Sequence, residues 1–421
     1  MKIEIKERIE KIKNKEIPEG YRKTKFGPIP KSWKEITIAS LVKEKKELCS
    51  DETTLLYSLT IEAGVIPKSE RYEREHLVKD TESAYKNVSL NEFAYNPMNA
   101  RFGAIGRLLE NKTVKVSKYY NVFEVKKNVD LKFFEAVIKS KRALNYYDSI
   151  STGTLEEKKR VHYNDFIKIE IPFPPIEEQV KISTILSKWD EGISNQEKLI
   201  EAKKKYKKGM MQKIFSQELR FKDENGNDYP EWEEKKLGEV LIKNSIKNKD
   251  EKILRVQSIS NKVGFVEQEE LFQDRVIASS NKRNYYIIQK GMFAYNPSRI
   301  DVGSLAYKTD EFPAVISPLY VSFKANQEYL FDRFLLNWFK EKEFKKQMYS
   351  LFEGSVRNTL SYDALSKICI VIPCLSEQIK ISNIFLILDR DIELLEKELS
   401  ILKSEKQSLM SMLLNGVVRT V

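Results

Sequence analysis

Histidine is nearly absent from this chain: His76 and His162 are the only two in 421 residues, and both lie in the first half. A duplicated site built on a catalytic imidazole or a His-ligated metal is therefore excluded. Cysteine is sparse as well. Cys49, Cys369 and Cys374 lack paired spacing, so they support neither a disulfide framework nor a zinc site and point to a reducing cytoplasm. No run approaches the ~18 apolar residues of a membrane span. The amino terminus, Met1 to Lys6, lacks the apolar core of a signal peptide. A Walker loop, a His-Glu-x-x-His pair and a glycine-rich cofactor loop are all missing.

What the chain has is a repeat. Phe93-Ala94-Tyr95-Asn96-Pro97 returns unchanged as Phe293-Ala294-Tyr295-Asn296-Pro297, a shift of 200, and Gly103 returns as Gly303. Glu178-Gln179-Val180-Lys181-Ile182-Ser183 returns as Glu377-Gln378-Ile379-Lys380-Ile381-Ser382, a shift of 199, and Trp33 returns as Trp232 at the same shift. Solenoid repeats are only about 20–50 residues long, so this period signals two copies of a whole domain. Hydrophobic residues make up 41%, with 21 Phe and 20 Tyr, enough for each half to bury a core. The balance of 73 basic against 62 acidic residues, net +11, favours an anionic partner, nucleic acid before membrane.

Residues 1–20 read as a charged helical segment, 21–171 as a first mixed body and 172–220 as a long helix. Residues 221–372 read as a second body and 373–421 as a second long helix. Within the bodies, Val114–Val116 and Val122–Val125 alternate as strands do, and Leu131–Tyr147 and Phe331–Tyr349 are expected to be amphipathic helices. Asp223–Asp228 is a polar turn and linker. The second long helix carries a heptad: Ile381, Phe385, Leu388, Ile392, Leu395, Leu399, Leu402, Lys406, Leu409, Leu413. The first repeats it as Ile182, Leu186, Trp189, Ile193, Gln196, Ile200, Lys203, Lys207, Met210, Ile214, with polar breaks at Gln196, Lys203 and Lys207. Such a/d spacing predicts a coiled-coil pair about 55 Å long, antiparallel because a whole domain separates the two helices. The alternative is an ordinary buried helix in each domain. Ile182, Leu186, Trp189, Ile193, Ile381, Phe385, Leu388, Ile392, Leu395 and Leu399 are the residues expected in the seam or in partner docking.

Two motifs invite catalytic readings and fail them. Tyr95-Asn96-Pro97-Met98 lacks the second proline and the aromatic residue of the amino-methyltransferase loop. Glu124-Val125-Lys126 has nuclease-like spacing, but its counterpart does not reproduce it, and a solvated strand face explains it. The Phe-Ala-Tyr-Asn-Pro letters read as framework, with Phe and Tyr in a core and Asn-Pro turning the chain. Polar residues at and after that turn suit base edges: Asn96, Asn99 and Arg101 in one half; Asn296, Ser298 and Arg299 in the other. Hydroxyl and amide groups around glycine suit phosphates, which nominates Thr152 and Thr154, then Ser355, Arg357 and Asn358. A plain turn explains them equally well. Basic–aromatic interleaving adds Arg71, Arg74, Lys282 and Arg283. The run Lys203–Lys208 is a solvated helix end, or one facing DNA phosphate.

Two bodies alternating with two long helices, a Phe-Ala-Tyr-Asn-Pro turn in each body, and the helix entry Ile171-Pro172-Phe173-Pro174-Pro175 to Glu178-Gln179 together resemble the DNA specificity subunit of type I restriction–modification systems. The resemblance covers nearly the whole chain. The second entry departs from the pattern, with Pro373-Cys374-Leu375 replacing Pro-x-Pro-Pro. The resemblance implies an α+β fold: two mixed target recognition domains alternating with two long antiparallel coiled-coil helices in a pseudo-two-fold, almost circular arrangement. The N-terminal segment would lie beside the chain's end near Leu413. It implies that each domain reads one half of a bipartite, asymmetric site in double-stranded DNA. The helices would fix the spacing and dock two methyltransferase (modification) subunits. No cofactor or metal is expected on this chain, and no catalysis by it. S-adenosylmethionine would sit on the modification subunits, which methylate adenine N6. ATP and Mg would sit on restriction subunits where present. The competing readings are a two-lobed protein-interaction scaffold with a dimerising coiled coil, and a self-contained methyltransferase or nuclease.

Overall fold

The computed structural model describes residues 3–24, 27–49, 51, 53–61, 64–68, 85–155, 159–261, 263–268, 281–352 and 358–420. The chain forms two compact units, Met1–Glu197 with Lys397–Val421, and Lys198–Glu396. Each combines a mixed body with half of each of two long helices, the central helix Ile176–Phe215 and the C-terminal helix Leu375–Leu414, both 40 residues.

In the first unit an antiparallel sheet runs, in spatial order, Val42–Lys45, Asn121–Val125, Phe93–Tyr95 and Ile105–Arg107. Side chains alternate across a strand, so Phe93 and Tyr95 enter one core and Ala94 the other. Phe93 stacks on its cross-strand partner Phe123 at 5.4 Å and meets Phe134 edge-on at 5.6 Å. Ala94 joins Val88, Val114, Val116 and Val122 in a smaller core. There a hairpin, Tyr57–Thr60 with Gly64–Pro67, accompanies the paired strands Tyr85–Val88 and Val114–Ser117.

The second unit repeats the plan. Its sheet runs Leu241–Lys243, Val321–Ala325, Met292–Tyr295 and Leu305–Tyr307. Phe293 stacks on Phe323 at 5.3 Å, and Ala294 turns to a second core with Ile259, Ile288 and Ile316. The repeated Phe-Ala-Tyr is thus large-small-large because one strand separates a thick core from a thin one.

The expected helices Leu131–Tyr147 and Phe331–Tyr349 each break in two. Leu131–Ile138 is followed by Lys141–Ile150, and Asp332–Trp338 by Lys342–Ser350. Ser140 caps the second helix of the first pair by accepting from Ala143 N at 3.2 Å, which fixes a new start. Continuous amphipathic spacing hid this break, because each short helix buries apolar residues of its own.

The long helices pair antiparallel within each unit. In the second, Lys203 bonds Asp391 (3.1 Å), Lys204 bonds Glu396 (2.9 Å) and Lys207 bonds Asp389. In the first, Gln196 bonds Glu398 (3.0 Å), Lys403 bonds Glu197 (2.7 Å) and Lys406 bonds Asp190. The polar breaks of the heptad are therefore filled by acidic groups of the opposite helix. The first two seam residues of each helix have a different fate. Ile182 and Leu186, and Ile381 and Phe385, are buried in the body cores, which removes them as partner-docking residues. Trp189, Ile193, Leu388, Ile392, Leu395 and Leu399 are half-buried along the pair.

Candidate nucleic-acid interface

Each Asn-Pro turn is built the same way. Asn96 Oδ1 accepts from Met98 N, and Asn296 Oδ1 from Ser298 N, both at 3.1 Å. The Oδ1 of each asparagine is thereby used to hold the turn. Gly103 and Gly303 close the turns at φ 97° and 92°, a region that side chains other than glycine's rarely enter, which explains their recurrence. Tyr95 Oη donates to Val161 O (2.7 Å), and Val161 N donates to Pro97 O (2.9 Å). In the second unit Tyr295 Oη donates to Leu360 O (3.0 Å), and Leu360 N to Pro297 O (3.1 Å). Burial pushes both tyrosine hydroxyls far above the usual phenol range, so they remain donors.

These bonds bring two of the sequence-derived groups together. The turn bearing Asn99 sits beside the loop bearing Thr152 and Thr154, and the turn bearing Ser298 and Arg299 sits beside Asn358. All six are exposed. Arg101 departs from expectation. Its side chain is only 7% exposed, is tied to Asp148 at 3.0 Å and lies 4.3 Å from the Phe102 ring, so it braces the turn and is withdrawn from base reading. Arg299, two positions earlier in its own turn, is exposed and has no side-chain partner among the described residues. Lys282 and Arg283 are tied to the loop at Lys249–Glu251: Arg283 Nε donates to Lys249 O (3.2 Å) and Lys282 N to Glu251 Oε1 (2.8 Å). Arg71, Arg74, Ser355 and Arg357 fall outside the described residues.

Sequence reasoning missed Arg160, which is exposed and pairs through its backbone with Thr152, both bonds at 2.9 Å. Only the loop's closure, invisible in sequence, places it at the turn. It also missed an apolar flank in the second unit. Leu199 and Tyr206 on the central helix are 43% and 56% exposed, and Ile387 and Leu394 on the C-terminal helix 58% and 63%. Each pair is spaced by seven residues off the heptad seam, and that spacing was the available signal.

The family model for the type I restriction modification DNA specificity domain matches residues 30–204 and again 229–404. The chain belongs to this family. Both copies of the specificity domain therefore span a body and the following helix. Among curated relatives, the chain is 28% identical over 331 residues to the type I restriction enzyme MjaVIII specificity subunit of Methanocaldococcus jannaschii, covering 74% of each chain. It is 27% identical over 408 residues to the putative MjaX specificity subunit of the same organism, covering 95% of this chain and 88% of the relative. Among solved structures it is similar to the HsdS subunit from Thermoanaerobacter tengcongensis, with 17% identity and TM-score 0.52, covering 93% of this chain and 98% of that one. A chain from a study of complex assembly in the type I R-M system aligns at TM-score 0.57 and 15% identity, over 93% of this chain and 99% of that one. The protein is a DNA-recognition specificity subunit with two target recognition domains, working in an assembly with other subunits. No described helix is long and apolar enough to cross a membrane.

Proposed function

We propose that each body reads one half of a bipartite, asymmetric DNA site, while the paired helices set the half-site spacing and dock two modification subunits. The observation that carries this reading is the contrast between buried identity and exposed difference. The Phe-Ala-Tyr-Asn-Pro framework is unchanged, yet the exposed residues directly after it are Met98 and Asn99 in one turn and Ser298 and Arg299 in the other. Identical backbones presenting different donors suit two different base sequences. Arg299, Thr152, Thr154, Asn358 and Arg160 are the contact residues we nominate, with Arg299 best suited to a bidentate guanine contact. Lys282 and Arg283 suit phosphate.

The exposed flank of Leu199, Tyr206, Ile387 and Leu394 supports docking of a modification subunit on the helix pair. The chain itself catalyses nothing in this scheme and holds no cofactor. S-adenosylmethionine belongs on the modification subunits, which transfer methyl to adenine N6, and ATP and Mg on a restriction subunit where one joins. The complex works in the cytoplasm. Mapping methylated adenines in DNA from cells carrying the complex tests the scheme. A split, asymmetric motif with a fixed spacer is expected. Absence of any duplex bound from a degenerate library, by the chain with its modification subunit, sinks it in favour of a protein scaffold.

A further inference from the structure

A cavity of about 930 Å³ opens in the first unit between the helix Lys141–Ile150, the strand Glu170–Phe173 and the last turns of the C-terminal helix. Every lining residue belongs to that unit. Val137, Ala143, Ile169 and Leu414 supply apolar wall, while Lys141, Arg142 and Lys168 outnumber Glu170 among its charges.

The second unit shows why the space is there. Tyr147 and Met348 fill matching buried positions on their helices. In that register Ala143 stands where Phe344 does, and Val137 where Trp338 does. Trp338 and Phe344 are 4% and 3% exposed, with ring centroids 5.3 Å apart, and Phe339 lies 4.8 Å from Phe344. Two aromatic rings buried in the second unit's core are thus replaced by a methyl and an isopropyl group in the first. The edge of the site differs too. Gln347 accepts from Cys369 N (2.8 Å) and donates to Cys369 O (3.0 Å), clamping helix to strand. Its counterpart Tyr146 is 48% exposed and lines the opening instead.

Protein interiors are close-packed; Val137, Ile169 and Leu414 are buried and form the floor, and a ring-sized insert would cover the half-exposed Ala143 and the exposed Tyr146 at the opening. Arg142 adds directionality. It donates to Asn415 Oδ1 at 2.7 Å, and burial lowers its pKa to about 10, which leaves it charged at neutral pH. Lys141 is exposed at the rim, and Lys168 is only loosely held by Asp165 at 3.3 Å.

We propose that this cavity docks an acidic protein segment that inserts one aromatic side chain. Its ring takes the space that Trp338 and Phe344 fill in the second unit, and its carboxylates meet Lys141, Arg142 and Lys168. The site is separate from base reading and does not depend on which DNA sequence is recognised.

The test uses the purified full chain and a fluorescein-labelled peptide, Asp-Glu-Phe-Glu-Asp, followed by anisotropy. Saturable one-to-one binding is expected. Replacing the peptide's Phe by Ala, or Ala143→Phe in the protein, should weaken it at least about tenfold, with the Ala143→Phe melting temperature unchanged or raised. Lys141→Glu changes only an exposed charge and should weaken binding severalfold, more at low salt than at high. No saturable binding, or equal binding by both protein variants and the Ala peptide, overturns the proposal. Displacement of the peptide by a random-sequence duplex also overturns it, by assigning the basic rim to DNA phosphate.

Discussion

In the first unit, Glu178 is buried and accepts from Trp33 Nε1 (2.8 Å) and from Arg419 Nε (2.7 Å). In the second, Glu377 is fully buried and accepts from Trp232 Nε1 (3.2 Å) and from Arg220 Nη2 (3.0 Å). The geometry matches and so does the position: Arg220 and Arg419 each lie five residues past the end of a long helix, 199 apart, the same shift as the glutamates they meet. The adjacent glutamine repeats as well. Gln179 Oε1 accepts from Asp130 N (3.0 Å), and Gln378 Oε1 accepts from Phe331 N (2.8 Å). Gln179 Nε2 donates to Pro174 O (2.9 Å) and Gln378 Nε2 to Pro373 O (2.8 Å). The Glu-Gln letters are therefore a clamp between helix entry and body. Identity between the copies marks buried polar groups whose partners must be met. In the first unit the clamp also orders the termini, where Tyr21 Oη donates to Gly416 O (2.6 Å) and Arg8 Nη1 to Val417 O (3.2 Å).

Where the copies face different surroundings they diverge. The second unit holds Lys308 fully buried, bonded to Asp310, which also takes Arg255 at 2.8 Å, while Arg255 reaches Glu267 at 2.6 Å. The first unit has buried Leu108 at the matching position, and Tyr57 donates to Glu110 at 3.0 Å. The thin core thus tolerates either an ion network or an aliphatic group, provided each buried charge is paired.

The comparison breaks hardest if the modules are exchanged. Replacing residues 21–170 with another body of this family should change one half-site in methylation mapping and leave the other intact; change in both would end the modular reading. Next in size is Glu377→Ala. It leaves the buried Trp232 indole and the half-buried Arg220 without their carboxylate, though Arg220 keeps Tyr229 O and Pro230 O, and should cost about 1.5–3 kcal/mol in denaturant unfolding, with Glu178→Ala similar. A near-neutral result for either would show that the clamp does not hold that unit. Arg299→Ala should cost about 1–3 kcal/mol in DNA affinity and relax one half-site position, measured by titration against single-base variants. Arg101→Ala should leave base preference at its half-site unchanged, and a relaxed position there would return it to the reading residues. Tyr95→Phe and Tyr295→Phe each remove one buried hydrogen bond and should cost about 1 kcal/mol. Smallest is Lys207→Met, expected to lose no more than about 1 kcal/mol, with Lys406→Met as its matched control. Thermal melts of the two should agree, and a disagreement would mean the helix pair is not equivalent in the two units.

Much of this was legible beforehand. The heptad gave both helices and their pairing, and the whole domain between them gave its antiparallel sense. The large-small-large strand followed from alternation. The helix break at Ser140 was not legible, because a cap competes with continued propensity only once Lys141–Ile150 has a face to bury. Nor was the demotion of Arg101, whose partner Asp148 lies 47 residues away in sequence.

The sequence by itself determined the duplication, the helix register and the framework letters. These depend on local periodicity and on buried groups that each copy must satisfy. Only the tertiary structure decided which arginine is braced and which is offered, and that Ala143 stands where Phe344 fills the second unit. Those outcomes depend on partners far apart in the chain, whose distances no spacing encodes.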